Sequence, residues 1–143
     1  MAKTKTYSLK EVRLVVGGKE ITGSGDTDKV SLARAADMWA TKVDATGNGT
    51  REKSNDMSGK ITITIHQTNP DCAVLDTLFA DAEEKPNPDF ISISCTDLNG
   101  GDVHTATECT AEKRPDAGFG KAAKDRVFVF GTAELKMKFG GNN

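Results

Sequence analysis

Apolar residues recur along this chain with two different periods. Ile61, Ile63 and Ile65 alternate with Thr62, Thr64 and His66, the pattern of a strand that buries one face. Beyond Pro70 the spacing lengthens, and Val74, Leu75, Leu78, Phe79 and Ala82 line one side of a helix expected over about residues 70–83. The boundary is well marked: Asn69 is a good N-cap, Pro70 suits the first helical position and Asp71 complements the positive end of the dipole. Burying the larger apolar side chains of this stripe is worth about 1.5–3 kcal/mol each, so the helix reads as a lid on a sheet. At its far end Asp81, Glu83 and Glu84 stand where the dipole favours cations. They are either simply solvated or form an acidic patch for a basic partner on another subunit.

Alternation predicts most of the other elements as strands. Val12 to Val16, a Gly17-Gly18 turn and Glu20 to Thr22 read as a hairpin, and Val30 to Leu32 as a short strand. Ala35 to Ala40 is compatible with a helical turn or a strand entry. From Thr41 to Asp56 the only large apolar residue is Val43, so this stretch is not core but either a mobile loop or, the favoured reading, a polar hairpin ordered against another chain. Phe90 to Cys95 is a further strand, followed by a turn in DLNGGD. Val103 to Lys113 is extended and polar on both faces, which suits a wet surface better than a core. Arg126 to Phe139 is the most β-prone run, apolar on both faces over Val127 to Phe130. The expected fold is mainly β (α+β), about six or seven strands in a sandwich or partly closed barrel with one packed helix.

Length changes little in this picture: 143 residues fit one domain, 1–143. Composition changes more, because 36% hydrophobic against 28% charged residues leaves a thin core and much polar surface. Nineteen Lys and Arg against 21 Asp and Glu give a net charge of −2, the wrong balance for a dedicated nucleic-acid binder. No apolar run approaches the ~20 residues of a membrane helix, and no signal peptide is visible, so a soluble chain made in a cytosol is expected. Cys72, Cys95 and Cys109 read as half-buried small hydrophobes, or as one disulfide and a free thiol. The sequon at Asn48 carries no weight without secretion.

Chemistry is sparse. His66 and His104 are the only histidines, neither beside a nucleophile, and both are expected to face solvent. No zinc-ligand spacing is present. DTDKV at Asp26 starts like a calcium loop but has Val30 at the next ligand position and lacks the glycine. The GSG and GNG glycines lack the strand–loop–helix setting of a phosphate cradle. No catalytic residue, cofactor site or metal site is expected, and a non-enzymatic assembly protein needs fewer assumptions than an enzyme. A monomeric β-barrel ligand-binding domain is a third class.

SNDMSGKITITIHQTNPDCAVLDTLFADA resembles the characteristic segment of the tail tube proteins of contractile-tailed bacteriophages. The matching positions are Ser54-Asn55-Asp56, Ser58-Gly59, Ile61 to Ile65, Gln67-Thr68, and Leu75 with Leu78. KRPDAGFGKAAKDRVFVFGTAELKMKFGG resembles the family's ending through Pro115-Asp116, Phe119-Gly120 and Gly140-Gly141, and the opening Tyr7-Ser8 is compatible. The strand near Val127 departs in lacking an aromatic beside Arg126. The resemblance implies a tail-tube β-sandwich or barrel. It implies homo-hexameric rings stacked into a hollow tube inside a contractile sheath, with baseplate and tail-terminator proteins as further partners and double-stranded DNA in transient, non-specific passage. Such a chain belongs to the virion tail, is assembled in the host bacterial cytoplasm and has no membrane anchor.

Within that reading the hairpin at about 41–56 supplies the inter-ring or inter-subunit candidates Lys42, Asp44, Arg51, Glu52, Lys53, Asn55 and Asp56. Thr62, Thr64 and His66 are candidates for the lumen or the sheath side, and the sequence leaves both open. The alternative reading is a tube subunit of a phage-like contractile injection or secretion device that carries protein effectors.

Overall fold

The isoleucine alternation becomes the longest regular ladder of the molecule. In the computed structural model, which describes residues 4–141, strand β6 (Gly59–His66) pairs antiparallel with β9 (Asp125–Thr132) along its whole length. Ile61 lies opposite Phe130 and Ile63 opposite Phe128, all four buried. Thr62 and Thr64 lie opposite Val129 and Val127 on the other face.

The remaining elements are β1 (Val12–Val16), β2 (Lys19–Ile21), β3 (Val30–Arg34), β4 (Trp39–Val43), β5 (Gly49–Lys53), α1 (Asp71–Glu84), β7 (Ile91–Asp97), β8 (Val103–Lys113) and β10 (Lys136–Lys138). Ten strands thus replace the six or seven expected among the described residues. One antiparallel sheet runs β2-β1-β7-β8-β9-β6-β3, with β10 also pairing β8, while β4 and β5 pair only with each other. The sheet curls around a single core drawn from β1, β2, β6, β7, β8, β9 and α1, but its ladder does not close. Lys29 crosses the open seam, donating from Nζ to the Val12 carbonyl at 3.1 Å, and Leu9, Val30 and Leu32 pack there against the core. The barrel is therefore only partly closed.

Local chemistry explains the connections. The β1–β2 turn needs positive φ at both central residues, and Gly17 and Gly18 take +57° and +84°. At the start of α1, Pro70 occupies the cap position with α-region dihedrals, and the Asn69 carboxamide oxygen accepts the Asp71 N–H at 2.9 Å. The Asp71 carboxylate in turn accepts the N–H groups of Thr22 and Gly23, both at 3.0 Å. One acidic residue thereby complements the dipole and staples the β2 exit loop to the helix. Cys72, Leu75 and Phe79 are the buried residues of the helix. The Phe79 ring lies 5.4 Å from that of Phe128 and 5.1 Å from that of Phe130.

Three expectations change. β8 is not a wet strand: it lies inside the sheet and buries His104, Ala106 and Cys109. A bulge is the reason. Ile93 pairs with Ala106 but Ile91 with Cys109, so one extra residue switches the inward set from even to odd numbers. His104, expected in solvent, is consequently 6% exposed, with Phe139 edge-on at 4.8 Å. The long C-terminal strand is also two strands, broken where Leu135 turns its side chain into the core and donates its N–H to the Met57 carbonyl.

The acidic helix end finds its cation within the chain. Arg114 bridges Asp76 and Glu83 in a fork, so the segment after β8 is tied to α1. Among the described residues no helix is long and apolar enough to cross a membrane.

If α1 is held chiefly by its aromatic contacts, Phe79→Ala is expected to cost about 3–5 kcal/mol, whereas exposed Val127→Ala is expected to stay within about 0.5 kcal/mol. Urea unfolding followed by circular dichroism measures both. Equal small effects would show that the helix contributes little to the core.

Candidate functional site and assembly surfaces

The hairpin of β4 and β5 stands apart from the core. Every residue of both strands is exposed, and Val43 and Trp39 remain 66% and 47% exposed. Both lie on strands that none of the chain's own core covers. Strand pairing sorts the hairpin into two faces, because directly opposed residues share a face. Trp39 opposes Lys53 and Thr41 opposes Arg51, with Val43 completing that face. Arg51 and Lys53 lie 5.2 and 5.9 Å from the Trp39 ring centroid, within reach of its negative face. The opposite face carries Lys42 and Glu52, joined by an ion pair at 3.1 Å. One face is therefore aromatic and basic, and the other is internally neutralised.

The exposed tip is closed by its own hydrogen bonds. The Asp44 carboxylate accepts the Thr46 N–H and hydroxyl and the Asn48 N–H, all within 2.9 Å, and Gly47 turns at φ +94°. The Thr46 hydroxyl, then the Asn48 N–H, hold the Asp44 carboxyl below the usual carboxylate range. Asp56 is held below that range in the same way, by the Ser58 hydroxyl and N–H.

The predicted hairpin residues thus separate. Lys42 and Glu52 pair on one face, Arg51 and Lys53 gather on Trp39, and Asp44 shapes the tip. Asn55 and Asp56 lie in the return segment to β6. Trp39 was missed, because a window starting at Thr41 cuts it off; the alternation Trp39, Thr41, Val43 was the available signal.

A second surface is the outer face of β3, β6, β9 and β8. Ser31, Thr62 and Val129 lie side by side across three strands, as do Lys60, Gly131 and Thr110. Glu112 reaches over Gly131 to pair with Lys60 at 3.3 Å. A Cβ on Gly131 would collide with the Glu112 carboxylate, so the glycine keeps this bridge flat on the sheet. Thr62, Thr64 and His66 are all half-buried on this face.

Nucleophilic chemistry finds little support. Cys72, Cys95 and Cys109 are buried free thiols, which overturns the disulfide alternative. Burial pushes Cys109 up to about 11 and raises the other two as well, so none is poised as a thiolate.

Comparison with known proteins fits this distribution of features. No protein of curated function matches the chain by sequence. In fold it is similar to a chain of the PVC sheath–tube complex in the extended state, from an extracellular contractile injection system. That match has 12% identity, 94% of this chain and 92% of that one, and a TM-score of 0.63. It is also similar to the tube-terminating cap of the anti-feeding prophage, at 10% identity, 97% and 95% coverage and a TM-score of 0.59. The PVC sheath/tube terminator follows at 13% identity, 96% and 99% coverage and a TM-score of 0.57. At such identities the likeness establishes the fold. Residues 4–140 match the family described as Bacteriophage PhiTE tail tube protein, and the chain belongs to that family of structural tail tube subunits.

Proposed function

We propose that the chain assembles as homo-hexameric rings that stack into the tube of a contractile phage tail, and that its exposed hairpin makes the contact between rings. Family membership over residues 4–140 carries the tube reading. The hairpin assignment rests on the ten strand residues that no part of the chain's own core covers. In this reading Trp39, Arg51 and Lys53 dock on an acidic surface of the next ring, and Lys42, Asp44, Glu52, Asn55 and Asp56 set register around them. The tube runs inside a sheath, between a baseplate and a terminator, in a virion tail assembled in the host cytoplasm. In this reading its role is structural rather than catalytic. The alternative is a tube of an injection device that carries protein effectors; chains of a contractile injection system share this fold, but the family match is to a phage tube.

The outer face of β6 and β9 is proposed to line the lumen, where Thr62, Thr64 and His66 meet passing double-stranded DNA. The uncharged Thr62, Thr64, Val127 and Val129 and the mutually neutralised Lys60–Glu112 pair support this, since a conduit must not retain its cargo. Each unpaired cation on the wall adds a salt-dependent phosphate contact.

Negative-stain microscopy of the purified chain tests assembly: rings or tubes are expected, and featureless monomers at high concentration would count against it. Deleting residues 46–50, or reversing charge with Arg51→Glu and Lys53→Glu, is expected to leave a folded subunit that fails to make long tubes. Normal tubes from both variants would remove the hairpin from the ring contact.

For the lumen, phage carrying Thr64→Lys is expected to eject DNA more slowly at low salt and to recover as salt rises. Wild-type ejection at low salt would place this face elsewhere.

A further inference from the structure

We propose that Asp26, His66 and Asp125 form a binding site for a divalent transition-metal ion of the zinc, cobalt or nickel type. The three residues are far apart in sequence and converge for structural reasons. His66 ends β6 and Asp125 begins β9, and the two are register partners, so their side chains leave the sheet on the same outer face. The loop between β2 and β3 folds over this corner. The His66 N–H donates to the Ser24 carbonyl at 3.0 Å, and the Asp26 N–H donates to both carboxylate oxygens of Asp125, at 3.1 and 3.3 Å. His66 Nε2 then lies 3.5 Å from Asp26 Oδ1, and one donor atom from each of the three residues lies within 4.8 Å of the others.

The donor set has the right chemistry. One imidazole nitrogen with two carboxylates suits zinc and its neighbours better than calcium or magnesium, which prefer oxygen alone. The other imidazole nitrogen, Nδ1, is 3.2 Å from the Thr68 hydroxyl. A proton on Nδ1 shared with that hydroxyl leaves the Nε2 lone pair aimed at the two aspartates, the arrangement by which outer-shell partners orient a metal-binding histidine. Among the described residues no lysine or arginine makes an ion pair with either aspartate, and Asp26 pairs with His66 itself.

Zinc–ligand bonds of about 2.0–2.2 Å place ligands roughly 3.3 Å apart in a tetrahedron. His66 and Asp26 are already near that spacing at 3.5 Å, and separations of up to 4.8 Å within the set must shorten by at most about 1.5 Å, within reach of side-chain rotation. Water fills the remaining positions on the solvent side.

A bound ion would tie the loop to both strands of the main ladder. The loop is already stapled to α1 through Asp71, so the ion would join sheet, loop and helix at one corner. The two carboxylates balance the charge of a divalent ion, so the occupied corner adds no unpaired cation to the proposed lumen face, and binding is a property of the folded subunit.

The test uses the full chain after chelator treatment, titrated with zinc chloride and, separately, cobalt chloride. Thermal unfolding is expected to shift upward saturably, on the order of 5–10 °C at about 100 times Kd, and to return with EDTA. Cobalt is expected to develop visible d–d absorption at one equivalent. His66→Gln and Asp125→Asn should abolish both signals, and Asp26→Asn should weaken them. Each variant is compared with its own metal-free melting temperature, so a folding defect is seen separately. The proposal is overturned if wild type shows neither signal at millimolar metal, or if His66→Gln responds as wild type does.

Discussion

The structure depends on the register of β6 against β9. A strand has a period of two, so slipping this pair by one residue would send Ile61, Ile63 and Ile65 to water and Thr62 and Thr64 to the core. Held as it is, with Ile61 on Phe130 and Ile63 on Phe128, the ladder sets where everything else goes. The two phenylalanines present the surface on which Phe79 of the helix settles. The same register puts His66 beside Asp125, and Thr62 and Thr64 beside Val129 and Val127, on the outer face. Both the core and the outer surface are consequences of one pairing.

The sheet achieves this without closing on itself. Its open seam is bridged by a lysine rather than by a strand, and Lys29 is 8% exposed there. Burying an ammonium is costly unless it is hydrogen-bonded, and the Val12 carbonyl supplies that bond. Asp71 and Arg114 perform related work on the helix, one tying its start to the β2 exit loop and the other its flank to the segment after β8. Three charged side chains thus join elements that the thin apolar core reaches only in part.

Much of this was legible in the sequence, and what was not has identifiable causes. The β6 alternation, the Gly17-Gly18 turn, the helix and the polar hairpin were readable because each rests on local periodicity or turn chemistry. β8 was misread because a bulge changes its phase, which a fixed period of two cannot represent. His104 was placed in solvent by that same error. The C-terminal strand was read as unbroken because the break is made by a long-range bond from Leu135 to Met57. The convergence of Asp26, His66 and Asp125 was invisible for a further reason: the register pairing and the folded-over loop bring them together, and no motif spacing records either. Trp39 was lost to a choice of window, since its alternation with Thr41 and Val43 was present.

The exposed hydrophobic residues complete the argument. Tyr7, Phe90, Phe119 and Phe139 are each at least 65% exposed, and they lie outside or at the edges of the sheet rather than in its centre. A chain with so few aromatics would ordinarily spend them on its own core, where each is worth most. Here only Phe79, Phe128 and Phe130 are spent that way. Those three act together with the isoleucines in the core, whereas the remaining aromatics, with Trp39 on the hairpin, stay on the surface. In a family of tail tube subunits, such surface aromatics are what the proposed contacts between subunits would cover.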